Sequence, residues 1–359
     1  MKIIFDDQIF SAQPVGGISK YFSDLAFGLK SIGEDVRLPF TFHINDHLQG
    51  HYNYIKVNIG RFPISKSNAR RAAQLINILN IYRPDLGSTD IYHPTFYSER
   101  SLSRVGDSKF VTTIHDMIPE RVPNVIRPSR HYRKRDHALR SDKIIAISEA
   151  TKRDIIDIYD VPDEKIHVVH HGIDLDECKN IQSLDDLPDE YILFIGGRSG
   201  YKNFSQLLPA MAILKARGID VPLVCIGKPF TPEELQSIHS LKLTHIMRMA
   251  ATDEQVRYAY RRALFFVFPS RYEGFGIPLI EAMAQHTALA ISDIPPFREV
   301  ARDAAAYFDP NDPDSIADTM ETLLIDPEKR RILSALGAAR VADFSLETMV
   351  QRTLAVYRS

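Results

Sequence analysis

An apolar run of strand length, Ala263 to Phe268, leads into Arg271-Tyr-Glu-Gly-Phe-Gly-Ile-Pro-Leu-Ile-Glu-Ala-Met-Ala284, and this stretch constrains the chain more than any other. Pro278 suits the first turn of a helix, so the segment predicts strand, glycine loop, helix. At such a turn the N–H groups of Gly274, Phe275, Gly276 and Ile277 lack helical partners, and the peptide dipoles add roughly half a positive charge. That combination seats a phosphate. Glu273 in the loop and Glu281 about one turn inside the helix flank the seat. Each carboxylate can accept paired hydrogen bonds from a vicinal diol, which suits a sugar on one side and a ribose on the other.

The same alternation runs through the chain. Lys2 to Phe5 reads as a buried strand, and Gln13-Pro-Val-Gly-Gly17 as a loop. A helix then carries Ile18, Tyr21, Phe22, Leu25, Ala26 and Leu29 on one face, closed by Gly33. Short apolar runs follow at Val36 to Phe40, Ile91 to His93, Phe110 to Ile114, Lys143 to Ile147, Tyr191 to Ile195, Val221 to Ile226 and His245 to Met249. Strands alternating with helices predict βαβ units and parallel sheets. With 359 residues the chain exceeds one typical domain. Two of roughly 150 to 180 residues are expected. The polar, proline-containing stretch ending at Glu190 supplies the boundary, giving residues 1–175, residues 176–342 and a final helical segment 343–359.

Composition removes several classes. A net charge of −2 argues against a nucleic-acid binder held by a global positive field. Cys178 and Cys225 stand far apart with no Cys/His cluster, so neither a disulfide framework nor a zinc site is indicated. The start, Met1 to Asp7, turns charged too early for a signal peptide, and no run approaches the ~18 apolar residues of a membrane span. The expectation is a cytoplasmic protein.

Four further clusters stand out. Arg198 and Lys202 occupy a glycine turn, Gly196-Gly-Arg-Ser-Gly-Tyr-Lys-Asn203, where a guanidinium fork and an ammonium suit a diphosphate. His115-Asp116 stands at a strand end, where open α/β sheets place their ligands. Tyr92-His93-Pro94 and Phe96, at another strand end, are weaker candidates for lining an acceptor. Gly16 and Gly17 can present backbone amides to an anion. Arg121, Arg127, Arg130, Arg133, Lys134, Arg135 and Arg140, interleaved with His131, Tyr132 and His137, form a basic cluster, with a second group at Arg61, Lys66, Arg70 and Arg71. Such runs are solvated faces or meet an anionic partner: a membrane surface, the diphosphate of a lipid-linked acceptor, or nucleic acid, for which no recognised motif accompanies the charge.

The Glu273 loop, with a Glu, seven residues and a second Glu around Gly-Phe-Gly, resembles the retaining GT-B glycosyltransferases of family 4, bacterial mannosyltransferases in particular. The resemblance covers nearly the whole chain. It implies an α/β fold of two doubly wound, Rossmann-like parallel-sheet domains facing across a cleft, with acceptor on the N-terminal domain, nucleotide sugar on the C-terminal one, and the last helix crossing back. It implies that Glu273 contacts the transferred sugar, Glu281 the ribose, and the amides of Gly274 to Ile277 the diphosphate. Arg198 and Lys202 would neutralise the leaving diphosphate. His115 would meet the sugar near its C6 hydroxyl, with Asp116 and His93 on the acceptor side. Gly16 and Gly17 would face the donor phosphates, and the backbone of Met249 and Ala250 the base.

Two departures from the family pattern accompany it. His171 replaces the usual Asn before Gly172, and His286 takes the helix-ending glycine position, where a left-handed conformation is less readily adopted by histidine. The expected reaction is hexose transfer with retention, mannose from GDP-mannose favoured over a UDP-sugar, to a glycan or polyprenyl-diphosphate-linked acceptor in O-antigen or exopolysaccharide synthesis. No metal or other cofactor is expected, because cations and a helix N-terminus already meet the developing charge. The triplets Asp174-Leu-Asp176 and Asp312-Pro-Asp314 are read as a turn and a helix cap. Rival readings are a nucleotide-sugar epimerase or phosphorylase on the same fold, and a non-catalytic nucleotide-sugar-binding protein. No nucleic-acid partner is expected; peripheral contact with the inner face of the plasma membrane is, through the basic 121–140 region.

Overall fold

The computed structural model describes residues 1–40, 42–48, 55–56, 77, 89–103, 107–122 and 133–359. The chain divides into two compact units, and each is taken by itself. The first comprises Met1–Pro119, Ile126–His171 and Leu346–Ser359, the second Glu120–Val125 and Gly172–Ser345.

The first unit is built on β1 (Lys2–Phe5), β2 (Asp35–Arg37), the two-residue pair β3 (Phe42–His43) and β4 (Ile55–Lys56), β5 (Ile91–His93), β6 (Lys109–Ile114), β7 (Lys143–Ala146) and β8 (Ile166–Val168). Six of these form one sheet in the order β2-β1-β5-β6-β7-β8, every neighbour parallel. Strands covered on both faces read as continuous apolar runs, which is why Ile3, Phe5, Ile91, Phe110, Val111, Ile114, Ile144 and Ile145 are all buried. The helix Gly17–Ser31 buries Tyr21, Phe22, Leu25, Ala26 and Leu29, the face predicted from their spacing. Gly33, at φ +92, ends it and lets the Glu34 N–H reach the Leu29 carbonyl at 3.1 Å. The final helix, Leu346–Arg358, packs on Gly17–Ser31 and adds Met349, Val350, Leu354, Val356 and Tyr357 to the same core.

The second unit carries β9 (Ile192–Ile195), β10 (Leu223–Ile226), β11 (Ile246–Met249), β12 (Phe265–Phe268), β13 (Leu289–Ser292) and β14 (Ala305–Phe308) in one parallel sheet ordered β11-β10-β9-β12-β13-β14. Counted within the unit this is 3-2-1-4-5-6, the doubly wound arrangement in which the strand order reverses between the first and fourth strands. Those strands are β9 and β12, in register at Ile192 with Phe265 and Leu193 with Phe266. Ligands of such sheets bind outside the carboxyl ends at that reversal. The loops leaving β9 and β12 are those that carry Arg198, Lys202 and Glu273.

Candidate active site

The β9 loop is held by its own backbone geometry and hydrogen bonds. Gly196 takes φ +109, a short 3-10 turn spans Gly200–Lys202, and Asn203 sits left-handed at φ 62. The fully buried Asn203 amide donates to the carbonyls of Pro269 at 2.9 Å and Pro310 at 2.7 Å, and the Arg271 N–H reaches the Tyr201 carbonyl at 2.8 Å. The two loops at the reversal are thereby tied to each other. Asn203 was passed over in the sequence as the end of a glycine turn; a short amide side chain just ahead of a helix was the available signal.

Arg198 departs from the expected bidentate fork. Its Nε donates to Glu234 Oε1 at 3.0 Å, and Nη2 donates to the carbonyls of Lys228 at 2.9 Å and Pro229 at 2.8 Å. The guanidinium carbon lies 4.7 Å from the Phe230 ring centre. Among the described residues Nη1, which is buried, has no hydrogen-bond partner. Beside it Gly227, at φ +155, keeps space open, since a Cβ there would come within 2.8 Å of the Gly196 carbonyl oxygen and 3.7 Å of Nη1.

Lys202 and Glu273 form an ion pair, Nζ to Oε1 2.6 Å, with Nζ also 5.1 Å from the Phe268 ring centre. Glu273 is 9% exposed. Next to it, Gly276 at φ +103 caps the helix Ile277–Ala284, with Pro278 in its first turn. Gly274 and Phe275 complete the approach to the cap, and Phe275 is anchored edge-on to Phe344 at 5.7 Å. Glu281 accepts a hydrogen bond from the Tyr260 hydroxyl at 3.3 Å, and burial pushes that hydroxyl's pKa well above its usual value. At the end of β11 the Met249 carbonyl accepts from the Gly227 N–H at 3.2 Å, with Ala250 immediately after it. His286 does adopt the left-handed conformation, φ 58, where a glycine was the family expectation; its carbonyl accepts from Ser334 Oγ at 2.6 Å.

In the first unit, His115 follows β6 inside an aromatic cage. Its ring lies 4.9 Å from Tyr21 edge-on and 5.5 Å from His171 in a stacked arrangement, and His171 is 5.0 Å from Tyr21. Among the described residues neither His115 nitrogen has a hydrogen-bond partner. Burial drives its pKa well below 6.5, so the ring is neutral, one nitrogen a donor and the other an acceptor. Asp116 is a local organiser: Oδ1 accepts from the Ile118 N–H at 3.0 Å, and its carbonyl accepts from Lys134 Nζ at 2.9 Å. Gly16 is extended at φ 172 and its carbonyl accepts from Ser19 Oγ at 2.9 Å, with Gly17 opening the helix.

Two readings of the first unit need correction. His93 is fully buried, its Nδ1 2.6 Å from the Tyr357 hydroxyl and its Nε2 2.9 Å from Thr113 Oγ1, so it is a core histidine and lines no acceptor surface. Lys134 and His137, counted in the basic cluster, are buried, whereas Arg135 and Arg140 are exposed and Arg133 pairs with Glu99 and Asp136. Arg127, Arg130, His131, Tyr132, Arg61, Lys66, Arg70 and Arg71 lie outside the described residues. The Asp triplets act as read: Asp174 Oδ1 accepts from the Asp176 N–H at 2.9 Å, and Asp312 Oδ1 from the Asp314 N–H at 3.0 Å. Among the described residues no helix is long and apolar enough to cross a membrane.

A two-domain α/β chain with a cationic glycine loop and a helix N-terminus at the sheet reversal belongs to a recognisable class, and the relatives agree. Residues 15–177 match Glycosyltransferase Family 4, and residues 179–340 match Glycosyl transferases group 1. O-antigen chain mannosyltransferase B of Escherichia coli is 31% identical over 288 residues, 75% of this chain and 74% of that protein. The serotype-specific mannosyltransferase WbdA of Escherichia coli is 30% identical over 310 residues, which is 78% of this chain but only 37% of the longer relative. The crystal structure of Anabaena Alr3699/HepE in complex with UDP and glucose superposes with a TM-score of 0.75 over the full length of both chains at 17% identity, a likeness of fold. The chain belongs to the family 4, group 1 glycosyltransferases, with their two-domain α/β GT-B fold.

Proposed function

We propose that this glycosyltransferase moves mannose from GDP-mannose to a hydroxyl of a glycan or polyprenyl-diphosphate-linked acceptor, with retention of configuration and without a divalent metal, in O-antigen or exopolysaccharide synthesis. What supports the reading is that Arg198, the Lys202–Glu273 ion pair and the Gly276 helix cap all belong to the loops that leave the carboxyl ends of β9 and β12 at the sheet reversal. Amide donors, a helix dipole and two cations stabilise negative charge as it develops on a leaving diphosphate. The anomeric carbon–oxygen bond to the diphosphate breaks, the acceptor oxygen bonds that carbon on the same face, and the acceptor proton passes to the departing phosphate oxygen. Glu273 anchors sugar hydroxyls, Glu281 the ribose, and the backbone at Met249 and Ala250 the base. His115, neutral and with both nitrogens unpartnered, is read as the group that takes a hydroxyl of the transferred sugar.

The preference for mannose rests on the names of the relatives at about 30% identity. Calorimetric titration with GDP, UDP and ADP, followed by incubation with GDP-mannose and a mannose-terminated acceptor and NMR assignment of the product anomer, tests it. GDP binding and an α-mannoside product are expected; tighter UDP binding would redirect the donor, and a β-product would end the retaining mechanism. The exposed Arg135 and Arg140 support a peripheral place on the inner face of the plasma membrane, which sedimentation with anionic vesicles would check.

A further inference from the structure

Arg198 is held with little freedom. Its side chain is 4% exposed, three of its contacts are internal hydrogen bonds, and Phe230 covers one face of the guanidinium. The partner of Nε, Glu234, divides its carboxylate between two tasks. Oε1 accepts from Arg198, and Oε2 accepts from the Thr231 N–H at 2.8 Å, while Thr231 Oγ1 accepts from the Glu234 N–H at 3.2 Å. This capping box starts the helix Pro232–Ser240. One side chain therefore couples the rigid start of a helix to the orientation of the guanidinium.

We infer that Glu234 is a positioning residue for the transfer: by fixing Nε through a helix cap, it aims Nη1, the one unpartnered nitrogen of Arg198, at the distal phosphate of a nucleoside diphosphate. The inference rests on the proposed role of Arg198 at the diphosphate. Two effects of Glu234 oppose each other. Its negative charge repels an anion, whereas its hydrogen bond removes the rotamer freedom that a long side chain would otherwise lose on binding. A carboxylate that served only as counter-charge would weaken phosphate binding, so its removal would tighten it. The burial of the pair and the double use of the carboxylate favour positioning.

The test compares dissociation constants for GDP against GMP, and UDP against UMP, by calorimetry, with Tm measured in parallel. Glu234→Ala is expected to weaken diphosphate binding about tenfold and leave monophosphate binding unchanged, the loss expected from a hydrogen bond to a charged group. Glu234→Gln keeps an acceptor for Nε and restores most of that loss. Thr231→Ala removes the hydroxyl half of the box but keeps both hydrogen bonds of the Glu234 carboxylate, to Arg198 Nε and to the backbone N–H of residue 231, so it lowers Tm without changing the ratio. The inference is overturned if Glu234→Ala and Glu234→Gln both bind diphosphate more tightly, or if mono- and diphosphate affinities fall together. Absence of any nucleoside diphosphate binding by the unaltered protein would instead remove the proposed function, and this inference with it.

Discussion

Lys202 donates to Glu273, Nζ to Oε1 2.6 Å, across 71 residues of sequence, so the loops that leave β9 and β12 meet in an ion pair. The pair holds a cation beside the helix cap and orients the carboxylate. Lys202→Ala is expected to lower kcat/KM on the order of 10²-fold, the scale seen when one preorganised donor to developing charge is removed. Lys202→Arg, with a different reach and fork, should recover only part. Steady-state kinetics with varied donor checks both; activity within twofold of normal in Lys202→Ala would remove the residue from the mechanism.

Gly276 has no room for a side chain. It sits at φ +103, and a Cβ would lie 2.9 Å from Phe297 Cε1 and 3.3 Å from Leu279 Cδ1. Gly276→Ala should cost about 1 to 3 kcal/mol from the backbone conformation alone. Because the same residue opens the helix proposed to seat the diphosphate, nucleoside diphosphate affinity should fall with Tm. Differential scanning calorimetry and titration on one sample would reveal whether the two losses are linked.

His93 and His171 supply a pH dependence. Burial lowers both from an ordinary 6.5 to about 3. The unfolded chain then binds protons that the folded chain does not, so stability is full above pH 6.5 and is lost as pH falls from there toward about 3. Each group contributes a slope of about 1.4 kcal/mol per pH unit inside that window. Urea midpoints measured between pH 7 and pH 5 should therefore fall, and His171→Asn should flatten the slope by about one proton. An unchanged slope would place the proton uptake elsewhere.

Gly28 lies where the final helix crosses Gly17–Ser31, and a Cβ there would collide with Val350 Cγ2. Gly28→Ala is expected to destabilise the first domain by about 1 to 3 kcal/mol through overpacking. Val350→Ala in the same chain should relieve most of that cost, because it removes the colliding methyl groups. A double-mutant cycle read by denaturant unfolding measures the coupling; additive effects would mean that the two helices part at that point.

Much of the second domain was legible. The apolar run to Phe268, the glycine loop and Pro278 announce a strand, a turn and a helix because each depends on local chemistry: burial on both faces of a strand, positive φ at Gly276, and a missing N–H at the first helical turn. The helix cap at Asp312 was equally readable. The roles of individual polar residues were harder. His93 at a strand end looks like a ligand-facing histidine until Tyr357, 264 residues away, is seen to bond its Nδ1. Lys134 looks like one more surface charge until its ammonium is found under the Asp116 carbonyl.

The sequence by itself determined the alternating strands and helices, the two parallel sheets, the glycine positions and the family, since periodicity, turn chemistry and motif spacing are properties of neighbours along the chain. Only the tertiary structure decided that Arg198 offers a single nitrogen, that Lys202 rests on Glu273, that Asn203 ties two loops together and that His115 is caged by Tyr21 and His171. Those outcomes depend on which distant groups compete for the same hydrogen bonds in a dry interior, where most buried donors find an acceptor and the winner is set by geometry.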